Sequence, residues 1–150
     1  MARNDFRLCI VGYGVLERQI RAWVKECNIE NKTDIFIKPN NVSELERNAD
    51  IYISTSLFEG TSNSIMEALN WSLPVVATNV GDNERLVIDG KNGYLHAIGD
   101  TRGIAESLSI LLDSSELRNK MGTKSNQILR ENYSMEIFEK RYVELIEEEN

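Results

Sequence analysis

Histidine, proline, cysteine and tryptophan are all scarce. His96 is the only histidine, and 150 residues hold two prolines, two cysteines and two tryptophans. Cys9 and Cys27 have no metal-ligand spacing and build no disulfide framework, so they read as free thiols of a reducing compartment. Basic residues are outnumbered, 17 against 24 acidic ones, for a net charge of −7. That balance argues against a nucleic acid or an anionic membrane surface as partner. Part of the acidity lies in the tail from Glu144 to Glu149, which reads as a solvated helix end. No apolar run approaches spanning length, and nothing at the N-terminus resembles a signal peptide. The expected setting is the cytoplasm, with any membrane contact made through another part or a partner. Repeats, low-complexity tracts and long linkers are absent too, and the length suits one domain with a real core.

What the chain does have is alternation. Phe6 to Val11 reads as a strand ending at Gly12-Tyr13-Gly14. A dinucleotide fingerprint would want a third glycine at position 17, where Glu17 stands, so this reads as a tight strand-to-helix turn. Leu16, Ile20, Trp23, Val24 and Cys27 follow helical spacing. Thr33 to Ile37 is a second strand, Lys38-Pro39-Asn40-Asn41 a turn, and Val42 to Asn48 a short helix. Ile51 to Ser54 is a third strand, and Pro74 to Thr78 a fourth whose continuous apolar run suits a parallel sheet covered on both faces. Asp82 reads as the cap of a helical turn, and Asp89-Gly90-Lys91-Asn92-Gly93 as a tight turn into a fifth strand, Tyr94 to His96. His96 reads as structural. Three helical stripes complete the chain. They are Ile104, Ala105, Leu108, Leu111, Leu112, then Leu117, Met121, Ser125, Ile128, Leu129, then Ile137, Phe138, Arg141, Tyr142, Leu145, Ile146 behind Ser134 as N-cap.

The chemistry gathers between the third and fourth strands. Ile51-Tyr52-Ile53 reads as buried strand, and Gly60 with Thr61-Ser62-Asn63-Ser64 breaks it. A helix begins there, with Ile65, Met66, Ala68 and Leu69 as apolar positions and a hydroxyl or amide as N-cap. A strand, a polar turn and a helix N-terminus form an anion site, because free N–H groups and the positive dipole end point the same way. Glu59 on the turn and Glu67 roughly one turn into the helix add two fixed acceptors, a combination suited to a phosphorylated polyhydroxyl ligand. For either glutamate alone, a solvated or capping carboxylate is the plainer reading.

Glu59 and Glu67 are separated by seven residues, the first followed by Gly60 and the second by Ala68. With Pro74-Val75-Val76-Ala77-Thr78, Gly81, Asp89-Gly90 and Asn92-Gly93, the string resembles the family 4 glycosyltransferases, the glycosyl transferases group 1. These are retaining enzymes of the GT-B type that use nucleotide sugars. The resemblance covers nearly the whole chain and only the C-terminal, donor-binding half of such an enzyme. It implies that residues 1–150 are a single nucleotide-sugar-binding domain lacking the acceptor domain and the first strand-helix unit. That unit ends in a Gly-Arg…Lys pattern holding the diphosphate, which Arg3 and Arg7 do not match. Other departures are Ser72 where the family usually has Gly, Lys38-Pro39 near another usual Gly, and Asp82 at the second Gly of its pair. The usual Glu of that stretch falls at Glu84, one place before Arg85.

The resulting expectations are definite. The fold is α/β, a parallel Rossmann-like sheet of about five strands with helices on both faces and a helical C-terminus. Removing a central first strand from the order 3-2-1-4-5-6 leaves, renumbered, 2-1-3-4-5, which puts Phe6–Val11 beside Ile51–Ser54 and the Gly12–Gly14 loop next to Glu59–Ser64. By the resemblance, Glu59 is catalytic and meets the donor sugar, while Glu67 takes the ribose hydroxyls. Gly60, Thr61, Ser62 and Asn63 contact sugar hydroxyls and diphosphate, and Gly12 and Gly14 approach the diphosphate. No cofactor or metal is expected. Partners are a nucleotide-diphosphate sugar, the missing N-terminal acceptor domain, and a second copy through the C-terminal helix. The implied function is the donor-binding half of a glycosyltransferase in polysaccharide or glycoconjugate biosynthesis. The alternative is a non-catalytic nucleotide-sugar-binding module or inactive fragment. An epimerase of GT-B type or a nicotinamide protein is a weaker third option, opposed by the glutamate pair and by Glu17.

Overall fold

A computed structural model describes Arg3 and residues 5–148, with the backbone alone at Glu148. Glu149, counted with the acidic tail, lies outside the described residues. The chain divides into two compact units, Met1–Leu45 and Glu46–Asn150.

In the first unit, β1 (Leu8–Val11) and β2 (Thr33–Phe36) pair in parallel, Leu8 opposite Thr33 and Val11 opposite Phe36. Between them run α1 (Glu17–Glu26) and a 3-10 turn at Glu30–Lys32. Asn28 ends α1 in the left-handed region, φ 55°, and the Asn28 and Ile29 N–H groups close onto the Lys25 and Val24 carbonyls. Of the expected α1 stripe only Val24 is buried, while Leu16 and Trp23 are 60% and 52% exposed and Cys27 is exposed. Helical spacing sets which residues share a face, not how much partner surface meets it, and two short strands offer little. Cys9 and Cys27 are free thiols.

The α2 helix (Val42–Arg47) carries the boundary. The second unit follows with β3 (Tyr52–Ser54), α3 (Asn63–Asn70), β4 (Val75–Thr78), α4 (Asn83–Leu86) and β5 (Gly93–His96). It ends with α5 (Thr101–Asp113), α6 (Ser115–Tyr133) and α7 (Met135–Glu148). Its sheet is parallel in the order β3-β4-β5, with Tyr52 opposite Val75 and Val75 opposite Gly93.

The α/β class and the parallel strands match expectation. The five strands form two sheets, β1-β2 and β3-β4-β5. Within each sheet the strands follow the expected order. β3 is only three residues long and pairs with β4. β3 is also less buried than expected, with Ile53 37% exposed.

β4 is the buried centre of the second unit, with all its side chains inside. Val75 and Ala77 pack with Ile65, Ala68 and Leu69 of α3 and Leu86 of α4 on one face. Val76 packs with Leu111 of α5 and Met121 of α6 on the other. Asn92 is buried before β5, where its Oδ1 accepts from the Ile88 N–H at 2.7 Å and its Nδ2 donates to the Leu86 carbonyl at 3.0 Å. α6 crosses close behind, where Ser125 Oγ donates to the Leu73 carbonyl at 2.7 Å. A Cβ on Gly122 would overlap the Ser72 carbonyl oxygen. Ser134 accepts from the Ile137 N–H at 3.4 Å, as an N-cap should. The apolar side chains of α7 stay outside, with Phe138, Tyr142, Leu145 and Ile146 between 48% and 61% exposed. The Phe138 and Tyr142 rings stack with centroids 6.0 Å apart.

α3 closes on its last turn. The Ser72 N–H donates to the Leu69 carbonyl at 3.0 Å and the Leu73 N–H to the Ala68 carbonyl at 3.1 Å, a Schellman arrangement. The residue after the C-cap must then be left-handed, and Ser72 has φ 58°. A side chain there crowds its own backbone, which is why glycine is the usual occupant. Ser72→Gly should therefore stabilise the protein by about 1 kcal/mol, raising the midpoint of thermal unfolding by about 2–4 °C. An unchanged or lowered midpoint in a thermal melt counts against the strain.

Candidate functional site

The stretch after β3 is held from within and from the side. Ser56 Oγ donates to Glu59 Oε1 at 2.7 Å, so the carboxylate is fixed by its own turn. The Ser56 carbonyl accepts from Thr78 Oγ1 at 2.6 Å, tying the turn to the end of β4. Gly81, with φ 54°, lies flat against the same turn, and a Cβ there would overlap the Glu59 carbonyl oxygen. The Asp82 N–H donates to the Gly60 carbonyl at 3.3 Å, and Thr61 Oγ1 donates to Asp82 Oδ2 at 2.9 Å. Asp82 does not cap α4 as expected, since its side chain makes no capping bond. Its backbone, φ −91° and ψ 14°, lacks the extended shape a cap needs, and its carboxylate serves Thr61 and, at 3.5 Å, Arg85. Glu84 is exposed on α4.

α3 starts at the expected cluster without the expected cap. Ser62 occupies the N-cap position with an extended backbone, but its Oγ lies 3.1 Å from Ser64 Oγ and accepts from no first-turn N–H. The first-turn donors and the positive end of the helix therefore lack a side-chain cap. Gly60, Thr61 and Asn63 are exposed around that end, Ser62 is buried, and Glu67 is exposed one turn further on. β3, the turn and α3 thus bring Glu59, Gly60, Thr61, Ser62, Asn63 and Glu67 into one continuous piece of the second unit.

Two residues of this neighbourhood escaped the sequence reading. Tyr52 of β3 is half-buried, and burial pushes its phenol up. A hydrogen bond with Ser64 pulls it back, and the charges of Glu46, Glu67 and Glu59 raise it further. Glu46 of α2 is only 7% exposed, and burial followed by the charge of Glu67 holds its carboxyl above the usual range. The signal for Glu46 was its spacing, since it stands four residues after Val42 and so on that residue's side of the helix.

Gly12 and Gly14 belong to the first unit. The Gly12 N–H donates to the Phe36 carbonyl at 3.1 Å, and Gly14 has φ 150°. Nothing lies within 4 Å of where a Cβ would stand at either. The loop borders an apolar cavity of about 370 Å3 lined in part by Ile10, Val11, Leu16, Ile20 and Ile35. Lys38 Nζ sits 4.2 Å from the Tyr13 ring centroid. Arg7 is engaged with Asp34 at 2.6 Å.

His96 is occupied by structure. Its Nδ1 is 3.3 Å from Asp100 Oδ2 and its Nε2 is 2.9 Å from Ser107 Oγ. Asp100 caps α5 by accepting from the Gly103 N–H at 2.9 Å, and that bond, with His96, holds its carboxyl below the usual range. Among the described residues no group of three or more His, Cys, Asp or Glu is placed to hold a metal ion. Among them, too, no helix is long and apolar enough to cross a membrane.

Comparison with known proteins gives the family. N-acetyl-alpha-D-glucosaminyl L-malate synthase of Bacillus anthracis is 30% identical over 138 residues, 92% of this chain and 36% of that protein. The TarM structure from S. aureus, solved with UDP among its ligands, superposes with a TM-score of 0.84 at 25% identity, over 93% of this chain and 28% of that one. The C-terminal domain of a glycosyl transferase group 1 family protein from Francisella tularensis gives a TM-score of 0.72 at 25% identity, over 80% of this chain and 63% of that one. The chain spans about a third of the length of the curated relatives it matches. The family model described as "Glycosyl transferases group 1" matches residues 1–128, and with that match over most of its length the chain belongs to this family.

Proposed function

We propose that residues 1–150 are the donor-binding domain of a retaining glycosyltransferase that moves a sugar from a nucleotide sugar to an acceptor in polysaccharide or glycoconjugate synthesis. The observation that carries this reading is the turn leading into α3. It presents a carboxylate held by Ser56 beside a helix end whose N–H groups no side chain caps. A nucleotide sugar has a matching layout, with a diphosphate anion flanked by a hydroxyl-bearing sugar on one side and ribose on the other.

In this reading the N-terminal donors of α3 and the backbone of Gly60 to Asn63 meet the diphosphate and sugar hydroxyls. Glu67 accepts from the ribose hydroxyls. Ser56 engages one oxygen of Glu59, which leaves the other for the donor sugar near the reacting carbon. The chemical contribution is a set of dipoles already aimed at the leaving diphosphate while an oxocarbenium-like centre develops and the acceptor attacks from the same face. No metal ion is required. The related protein solved with UDP supports the nucleotide part. The complete protein would work in the cytoplasm, peripherally at a membrane.

A second reading, a nucleotide-sugar-binding module without transfer, draws on the short span relative to the relatives and on Arg7, whose guanidinium is committed to Asp34 rather than to a diphosphate.

Three outcomes check the proposal. Glu67→Ala should weaken nucleoside diphosphate binding by about 1–3 kcal/mol through a lost charge-assisted hydrogen bond, with the fold intact by circular dichroism. Calorimetry showing equal affinity removes Glu67 from the site. Glu59→Gln should leave that affinity nearly unchanged while transfer in the complete enzyme collapses, and a parental transfer rate denies Glu59 its role. The isolated chain should transfer no sugar and should self-associate through the exposed α7 face of Phe138, Tyr142, Leu145 and Ile146. Turnover by this chain alone, or a strict monomer at high concentration in sedimentation, contradicts the respective half of that expectation.

A further inference from the structure

The turn from Thr55 to Thr61 has little apolar packing to hold it. Leu57 and Phe58, its two large side chains, are 60% and 90% exposed. Polar ties hold it instead, and they fall into two groups. The Gly60–Thr61 half is tied to Asp82, whose N–H bonds the Gly60 carbonyl and whose Oδ2 accepts from Thr61. The Ser56–Glu59 half is tied to Thr78, whose Oγ1 donates to the Ser56 carbonyl at 2.6 Å. Thr78 ends β4 and is 2% exposed, so its hydroxyl must find its acceptor inside the protein. The backbone around that hydroxyl is fixed. The Thr78 carbonyl accepts from Asn83 Nδ2 at 2.9 Å, and the next N–H, of Asn79, donates to the His96 carbonyl at 2.7 Å.

We propose that Thr78 is a positioning residue for Glu59, fixing the backbone of Ser56 so that Ser56 in turn aims the carboxylate. The proposal rests on the donor-sugar role given to Glu59 above. Ser56 has one hydroxyl proton, and it goes to Glu59 Oε1 at 2.7 Å. The direction of that bond follows from where the Ser56 backbone stands, and Thr78 sets this from the buried end of β4. A glutamate on a turn this exposed would otherwise sample several rotamers, and ordering it during the reaction would add to the barrier. The two groups of ties divide the effect. Loss of the Thr78 bond acts on Glu59 and hence on the reaction, while the half of the turn given to the diphosphate keeps its own ties through Asp82.

The first test needs no ligand. Three-bond couplings of the Glu59 side chain, read by NMR, should report one rotamer in the parent, several in Thr78→Val, and one again in Thr78→Ser, which restores the hydroxyl. The second test is transfer by the complete enzyme from UDP-glucose, UDP-N-acetylglucosamine and GDP-mannose, with the best of these donors carried through the variants. Thr78→Val should lower kcat by about threefold to tenfold, the range one hydrogen bond contributes, with UDP and GDP affinities unchanged in calorimetry. Thr78→Ser should recover most of that loss. Added to Glu59→Gln, Thr78→Val should lower transfer no further, because its effect runs through Glu59. If Thr78→Val leaves the Glu59 rotamer fixed, or lowers transfer as much again in the double variant, this inference fails and the site reading stands. If Glu59→Gln transfers at the parental rate, the donor-sugar role fails and takes this inference with it. Should Thr78→Val not fold, averaged Glu59 couplings in the parent are enough to overturn the positioning.

Discussion

The carbonyl of Glu59 occupies the space that any side chain at position 81 would need. That contact interlocks two turns, the one after β3 and the one after β4. The bonds from Thr78 to the Ser56 carbonyl, from the Asp82 N–H to the Gly60 carbonyl, and from Thr61 to Asp82 all depend on it. β4 supplies the anchor, because a strand buried on both faces cannot shift without disturbing two packed layers at once. The rigidity of the candidate site is therefore borrowed from the sheet. A polar, exposed turn would otherwise be the most mobile part of the chain.

This arrangement places charges in tension. The start of α3 favours anions, yet Glu59 lies on the turn that leads into it and Glu67 within its helix, and the charges of both reach Tyr52. A helix end surrounded by carboxylates is a poor site for a bare phosphate. A ligand that brings hydroxyl donors along with its negative charge would meet both demands.

Much of this was legible in the sequence, for physical reasons that differ by element. Val75 to Thr78 reads as a buried strand because a continuous apolar run of that length has few other homes. The helical stripes of α5 and α6 are read as easily, since one face of each meets β4. Glu59 and Glu67 emerged from spacing, and the chain places both on the same turn-and-helix piece. Other features resist reading because they are settled by neighbours distant in sequence. Asp82 looks like a cap and serves Thr61 instead, because a carboxylate takes whichever donor the tertiary structure brings nearest. Glu46 looks like an ordinary surface glutamate of an acidic protein until its burial is known.

The two free thiols, Cys9 and Cys27, both belong to the first unit, and both are exposed. The second unit, with its interlocked turns, contains no sulfhydryl at all. Maleimide labelling, oxidant exposure or heavy-atom derivatisation at cysteine consequently touches one unit and spares the other. The chain comes with a built-in chemical handle, so a dye can be attached without substituting any residue of the turn after β3.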